Sequence, residues 1–201
     1  MGNRLFYKAL WVVLKPIYAV VFPCRVHGVE NLPKEGGFVL CTNHISGNAP
    51  LLLATKLPIN RAMTFLGKKE VFEWPFVGML MRLAGGIPVD RGNADISAIR
   101  NSLAALKEGK GLLIFPQGTR CRNNERAPML NGASMIALRG GVPVHPAYID
   151  GPYKAFRRVD VYFGKAIDLS AYGKRCDNET LSSVTRQIEA SVWGLKEEDE
   201  K

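Results

Sequence analysis

The sequence is poor in cysteine and in long apolar runs, and each shortage excludes a class of protein. Cysteine occupies only four of the 201 positions, never in CxxC spacing. A disulfide-stapled fold and a metal site are therefore not expected. No secretory signal with a small-residue cleavage site is present, so we expect reduced thiols in a cytosolic protein. The mean hydropathy of −0.02 leaves no room for several membrane spans.

Acidic residues are also scarce, and the first of them is Glu30. The chain has 27 Lys and Arg against 18 Asp and Glu, a net charge of +9. A protein this basic suits an anionic partner: nucleic acid, an anionic membrane surface or a phosphorylated substrate. It has no aromatic-basic RNA-binding stretch, no zinc spacing and no recognisable helix-turn-helix, so no nucleic-acid partner is predicted.

The first segment combines apolar residues with a few cations. The run Leu5–Phe22 is almost wholly apolar or aromatic, Pro16 is predicted to kink or divide it, and Pro23 to end it. At 100° per residue, three cations fall within about 40° of one another on a helix; they are Arg4, Lys8 and Lys15. This pattern predicts an apolar membrane-docking helix or helix pair, with anionic headgroups at the cations. A helix buried in the core and a membrane span of marginal length are the alternatives.

The rest of the chain alternates apolar strands with amphipathic helices. This order predicts an α/β fold, a single domain with a largely parallel mixed sheet flanked by helices. Its bounds are predicted as 1–27 for a membrane-interacting helical segment, 28–195 for the α/β domain and 196–201 for a charged tail. Strands are predicted over 37–42, 62–66, 86–89, 112–115, 142–148 and 159–163, and helices over 50–56, 96–106, 131–139 and 181–193.

Polar clusters follow three of these strands, where α/β sheets collect their sites. His44 follows the first strand and is a candidate general base, or a structural histidine held by hydrogen bonds. Arg91 and Arg120 have the forked donors that match a phosphate, or they are ordinary surface residues. Gly118 and Thr119 form an anion cradle or a plain turn.

Four blocks of sequence resemble, in order, those of the glycerolipid acyltransferases, and most closely the bacterial 1-acylglycerol-3-phosphate acyltransferases of the PlsC type. The resemblance extends from about Gly28 to Gly164. The four blocks are Asn43-His44-Ile45-Ser46, Gly86-Ile87-Pro88-Val89-Asp90-Arg91, Phe115-Pro116-Gln117-Gly118-Thr119-Arg120 and Val142-Pro143-Val144-His145-Pro146.

This resemblance implies transfer of a fatty acyl group to the free hydroxyl of a lysophospholipid, lysophosphatidate, in phospholipid synthesis. The donor is a thioester of acyl carrier protein or coenzyme A, used as co-substrate without any further cofactor or metal. His44 matches the catalytic base, and Arg91 and Arg120 match positions that hold the phosphate of the acceptor. Gln117, Gly118 and Thr119 belong to the same substrate-binding block. The family resemblance also implies a peripheral or monotopic protein at the cytoplasmic face of the cell membrane, on an anionic phospholipid surface.

The sequence departs from the family pattern where charge matters most. The family places an Asp five residues after the histidine, and here that altered dyad position is Ala49. Asn48 and Ser46 are the candidates for supporting the ring instead, although an amide or hydroxyl cannot neutralise imidazolium. Gln117 stands where the family has Glu, and Leu130-Asn131 where a lysine is frequent. Two interpretations follow: a working acyltransferase, or a weakened or inactive relative that binds phospholipid at the membrane.

Overall fold

One seven-stranded sheet organises the molecule. A computed structural model describes residues 4–90, 95–121 and 126–199. The strands lie in the order β1-β7-β6-β2-β5-β3-β4. Their bounds are β1 Cys24–His27, β2 Phe38–Thr42, β3 Met63–Lys68, β4 Gly86–Val89, β5 Gly111–Ile114, β6 Val144–Asp150 and β7 Val159–Phe163.

Seven α-helices accompany these strands in the described part of the chain, with short 3-10 turns at Val29–Asn31 and Ser170–Tyr172. The helices are α1 Arg4–Val21, α2 Ala49–Lys56, α3 Lys69–Phe72, α4 Val77–Leu83, α5 Ile96–Lys107, α6 Gly132–Gly140 and α7 Asn178–Asp199.

Five neighbouring strands run parallel, and the remaining two run the opposite way. β6, β2, β5, β3 and β4 pair in parallel. β7 pairs with β6 in antiparallel fashion, and β1 lies parallel to β7. The predicted α/β fold with a largely parallel mixed sheet is thus confirmed. Because β2 lies between β5 and β6, the segments that follow these three strands emerge side by side at one edge of the sheet.

Alternate residues of β2 face two separate cores. Phe38 and Leu40 pack on one face, in a cluster that includes residues of α1 and α2. Val39 and Cys41 pack on the other face, against α5, α6 and α7. All five β2 residues are buried, and the first four of them form a continuous apolar run in the sequence.

Helix α1 is continuous, so the helix-pair alternative is wrong. Pro16 lies inside it and removes only one backbone donor, and the helix ends at Val21 before Pro23. One face packs on the domain through the Tyr7 hydroxyl, which donates to Arg61 O at 3.3 Å, and the Trp11 indole, which donates to Leu57 O at 3.1 Å. The other face exposes large apolar side chains, namely Leu5, Val12, Val13, Ile17 and Val20. Within the described ranges, no helix combines the length and apolarity needed to cross a bilayer.

The structure contains elements that the sequence pattern missed. β1 is a short edge strand with polar residues, and it pairs with β7 from Cys24 opposite Val159. Helices α3 and α4 are short, and the Pro75 turn separates them. Helix α7 is longer than predicted: it begins at Asn178, where Asp177 accepts the Thr180 N–H at 2.8 Å, and it extends into the charged tail.

Candidate active site

His44 lies just beyond the end of the central strand β2. Its side chain is buried, with 9% of the residue exposed. The imidazole stacks on the ring of Phe115, which follows β5, with centroids 4.0 Å apart and planes 28° apart. An apolar face of this kind limits the orientations of the imidazole.

The third sequence block and the residue that follows it hold the main chain of His44 on both sides. The His44 N–H donates to Gln117 Oε1 at 2.9 Å, and the His44 carbonyl accepts the Cys121 N–H at 2.8 Å. Gln117 is buried, so this side-chain bond forms out of water. An amide oxygen can accept this N–H as a carboxylate oxygen would, which explains how Gln117 fits a position where the family has Glu.

Asn43, the residue before His44, is fixed to the neighbouring strand β6. Its Nδ2 donates to Ile149 O at 2.9 Å, and its Oδ1 accepts the Ile149 N–H at 2.8 Å. The Thr42 hydroxyl also donates to Asn43 Oδ1, at 3.1 Å. No role was predicted for Asn43, although an amide directly after an apolar strand is a signal for such a clamp.

Ala49 begins helix α2 and is completely buried among apolar side chains, including Leu52 and Leu53. Its N–H donates to Ser46 O at 3.1 Å, which closes the turn after His44. The position that carries the dyad Asp in the family is therefore occupied by a methyl group in the core.

Ser46 and Asn48, the predicted supports of His44, are bonded to each other. The Asn48 N–H donates to Ser46 Oγ at 3.3 Å, and Asn48 precedes α2 without a side-chain cap. Burial raises the pKa of Tyr153, which lies in the loop after β6. The support of the imidazole by Ser46 or Asn48 stays a prediction.

Arg120 lies beside the loop that follows His44. A Cβ on Gly47 would stand 3.7 Å from Arg120 Nη1, and the Arg120 side chain is exposed. Gly118 has a left-handed backbone, with φ of 68°, and its N–H donates to Phe115 O at 3.0 Å. This bond closes a turn and takes the Gly118 N–H out of the predicted anion cradle. Thr119 is exposed at the same turn.

The other predicted phosphate ligand, Arg91, lies outside the described residues. The residue before it, Asp90, donates its N–H to Asp95 Oδ2 at 3.0 Å. Asp95 also caps α5, because its Oδ1 accepts the Ala98 N–H at 3.0 Å and the Ser97 hydroxyl at 2.6 Å. The hydrogen bond from Ser97 and those from the Asp90 and Ala98 N–H groups lower the pKa of Asp95 to about 2. The link from Asp95 to the second block was not predicted from the sequence.

Asn131, at the position where the family often has lysine, has a structural contact. Its Oδ1 accepts a hydrogen bond from the Thr185 hydroxyl of α7 at 2.8 Å.

The described residues contain no group of three or more His, Cys, Asp or Glu side chains arranged to hold a metal ion.

An apolar crevice lies between α1, α2 and β3, next to the loop that carries His44. It is narrow, opens to solvent and is lined almost wholly by apolar side chains. Leu10, Trp11 and Leu14 of α1 form one wall, and Pro50 and Leu51 of α2 form another. Its lining suits a hydrocarbon chain better than a polar ligand.

Comparisons with known proteins identify the family. A family model described as Acyltransferase matches residues 23–150. The chain therefore belongs to the acyltransferase family, as the four blocks indicated. It is 29% identical over 195 residues to the 1-acyl-sn-glycerol-3-phosphate acyltransferase of Bacillus subtilis (strain 168), covering 94% of this chain and 96% of that protein.

Two further comparisons concern the acceptor and the fold. The chain is 36% identical over 141 residues to a lyso-ornithine lipid O-acyltransferase of Pseudomonas aeruginosa, covering 69% of this chain and 52% of that protein. The crystal structure of the acyltransferase PlsC from Thermotoga maritima superposes with a TM-score of 0.72 at 23% identity, covering 97% of this chain and 79% of the other. The latter likeness concerns the fold.

Proposed function

We propose that this protein transfers a fatty acyl group from an acyl thioester to the free hydroxyl of lysophosphatidate in phospholipid synthesis. The observation that carries the proposal is the placement of His44, stacked on Phe115 and held through its main chain by Gln117 and Cys121. The name of the Bacillus subtilis relative supports lysophosphatidate as the acceptor.

In the proposed reaction, His44 acts as general base. Its imidazole takes the proton of the acceptor hydroxyl while the hydroxyl oxygen attacks the thioester carbonyl. The tetrahedral intermediate then collapses: an ester bond forms, the carbon–sulfur bond breaks, and the imidazolium returns the proton to the departing thiolate. The co-substrate is a thioester of acyl carrier protein or coenzyme A, and the reaction needs no oxidant or further cofactor.

Cations hold the acceptor in this proposal. Arg120 lies beside the loop that follows His44, which suits a guanidinium that binds the phosphate while the hydroxyl reaches the imidazole. Arg91 has the same role by its match to the family motif. The apolar crevice next to this loop is the proposed site for the acyl chain.

The membrane is the proposed working surface. The exposed apolar face of α1 and its exposed cations Lys8 and Lys15 support peripheral or monotopic binding to anionic phospholipid at the cytoplasmic face of the cell membrane. The Lys15 ammonium lies 4.2 Å from the centroid of the Trp11 ring, which keeps this cation on the helix surface.

A second acceptor is favoured by the similarity to the lyso-ornithine lipid O-acyltransferase. That lipid carries no phosphate, so the two acceptors make different demands on Arg120. Measuring acyl transfer to each lysolipid under the same conditions discriminates between the two acceptors. A higher kcat/KM for lyso-ornithine lipid than for lysophosphatidate would assign that acceptor instead.

The assay measures thiol release from an acyl thioester in the presence of lysophosphatidate. We expect His44→Ala to lower the rate by at least about 100-fold, the usual contribution of a general base. The matched control is His27→Gln, because His27 lies on the edge strand β1, where it pairs with Asp160 at 3.1 Å. Equal rates for His44→Ala and the parent protein would overturn the proposed mechanism.

A further inference from the structure

The loop between β6 and β7 exposes an aromatic side chain on an unfavourable backbone. Phe156 is 71% exposed. Its φ of 61° lies in the left-handed region, which a bulky residue other than glycine rarely adopts. A ring that is exposed to this degree contributes little packing in return, so the fold of this chain does not explain why phenylalanine stands there.

Three exposed cations flank this phenylalanine in the sequence: Lys154, Arg157 and Arg158. Within the described part of the chain, no carboxylate forms an ion pair with any of them. The acidic residues at the two ends of the loop pair elsewhere, Asp150 with Lys196 at 3.4 Å and Asp160 with His27 at 3.1 Å. The loop therefore presents positive charge on both sides of an exposed aromatic ring.

The loop is attached to the end of helix α1. The Phe156 N–H donates to Val21 O at 2.6 Å, and the Val159 N–H donates to Pro23 O at 2.9 Å. The rings of Tyr153 and Phe22 are in contact, with centroids 4.9 Å apart. The bond to Val21 O places the loop at the last turn of α1, where Val20 is 66% exposed. The loop therefore adjoins the exposed apolar face of that helix.

We propose that residues 154–158 form a second contact with an anionic lipid bilayer, which acts together with α1. The three cations bind lipid headgroups, and the Phe156 ring enters the boundary between headgroups and acyl chains. The inference rests on the proposed membrane location. The three cations of the loop could also bind an acidic protein, such as an acyl carrier protein. The lipid surface fits better because the exposed ring and the apolar face of α1 adjoin each other and both require an apolar environment.

The first test compares two double variants in sedimentation with vesicles of phosphatidylglycerol and phosphatidylcholine. A cation near an anionic membrane strengthens binding about fivefold, so Arg157→Ala with Arg158→Ala should weaken it about 25-fold. The matched control is Arg100→Ala with Lys107→Ala, which removes the same charge from exposed positions of α5 on the opposite face of the sheet. If both double variants weaken vesicle binding equally, the effect comes from the net charge of the protein and not from the loop, and the proposal is overturned.

The second test separates membrane contact from a structural role. Phe156→Gly relieves the left-handed backbone, so the melting temperature should stay unchanged or rise while vesicle binding weakens. A lower melting temperature with unchanged vesicle binding would make Phe156 a structural residue and overturn the proposal. Unchanged vesicle binding by the Arg157/Arg158 variant together with a higher KM for an acyl-carrier-protein donor would assign the loop to the donor instead.

The proposed function and this inference fail in different experiments. Vesicle binding is measured without any substrate, so its result concerns the loop alone. Transfer to a short-chain, monomeric lysophosphatidate is measured without vesicles. Absence of that transfer in the parent protein would overturn the proposed function and leave the vesicle result standing.

Discussion

The hydrogen bond from the His44 N–H to Gln117 Oε1 can be removed without a large change of volume. Gln117→Met keeps a side chain of similar length but takes away the acceptor, which lies at 2.9 Å in a buried site. A buried donor without a partner costs about 1–3 kcal/mol. We therefore expect Gln117→Met to lower the free energy of unfolding in urea by this amount. Gln117→Glu keeps an acceptor oxygen and should be far less destabilising at neutral pH.

Gln117→Met and Gln117→Glu should also differ in the rate of acyl transfer. A base displaced by about 1 Å can cost about 100-fold in rate, so Gln117→Met should lower thiol release strongly. Gln117→Glu should retain transfer. Its carboxylate should also raise the pKa of His44 above that of the parent, because a nearby negative charge favours imidazolium. NMR titration of the imidazole in both proteins measures this shift.

Gln187→Met is the matched control, since Gln187 is exposed on α7. It should change neither the unfolding free energy nor thiol release by a comparable amount. If Gln117→Met unfolds and turns over like the parent, the bond does not position His44 and the reasoning is refuted.

Three further predictions concern the groups around the site. Ala49→Asp should raise the pKa of His44 and increase transfer by up to about 10⁴-fold, the effect of the equivalent carboxylate in serine proteases; equal pKa values by NMR would show that residue 49 does not reach the ring. Arg120→Ala should weaken binding of lysophosphatidate more than binding of an uncharged lysolipid, with Arg139→Ala on α6 as control; equal losses for the two lipids would remove Arg120 from phosphate recognition. Asp95→Ala should lower stability by about 1 kcal/mol as a lost helix cap. Because the folded-state pKa of Asp95 is lowered to about 2, this stabilisation is present above the unfolded pKa of about 4 and is lost as pH falls towards 2. Urea unfolding of the parent and variant should therefore converge over that range, and a constant difference would contradict the assignment.

Sequence patterns predicted the elements whose burial is uniform. β2 and β5 were recognised because every position in them is buried. Pro88 fits the place of β4 at the edge of the sheet, where a missing backbone donor is tolerated. β1 was missed because an edge strand that is only half-buried needs no apolar run. Helices α3 and α4 were missed because each is short.

The residues of the candidate site could be predicted from the sequence, but most of the contacts between them could not. His44 and Gln117 are 73 positions apart, and their bond depends on β2 and β5 being neighbours. The alternation of strands and helices predicts a parallel sheet but does not order its strands. The same applies to Asn43, whose partner Ile149 lies on β6. The link between Asp90 and Asp95 is local, by contrast, and a capping residue so close to the second block could have indicated it.

The two lost carboxylates have different consequences for the same histidine. At position 117 the amide of Gln117 still accepts the His44 N–H, so the shape of the loop survives the loss of charge. At position 49 the methyl group of Ala49 is packed in the core, and it can neither donate nor accept a hydrogen bond. The result is a positioned imidazole without either of the family carboxylates, and Arg120 lies beside Gly47 in the loop that follows His44. Such a site favours an anionic acceptor in the ground state and disfavours the imidazolium that forms during transfer. In the proposed reaction, KM therefore depends on the cations, and kcat depends on what replaces the negative charge at position 49.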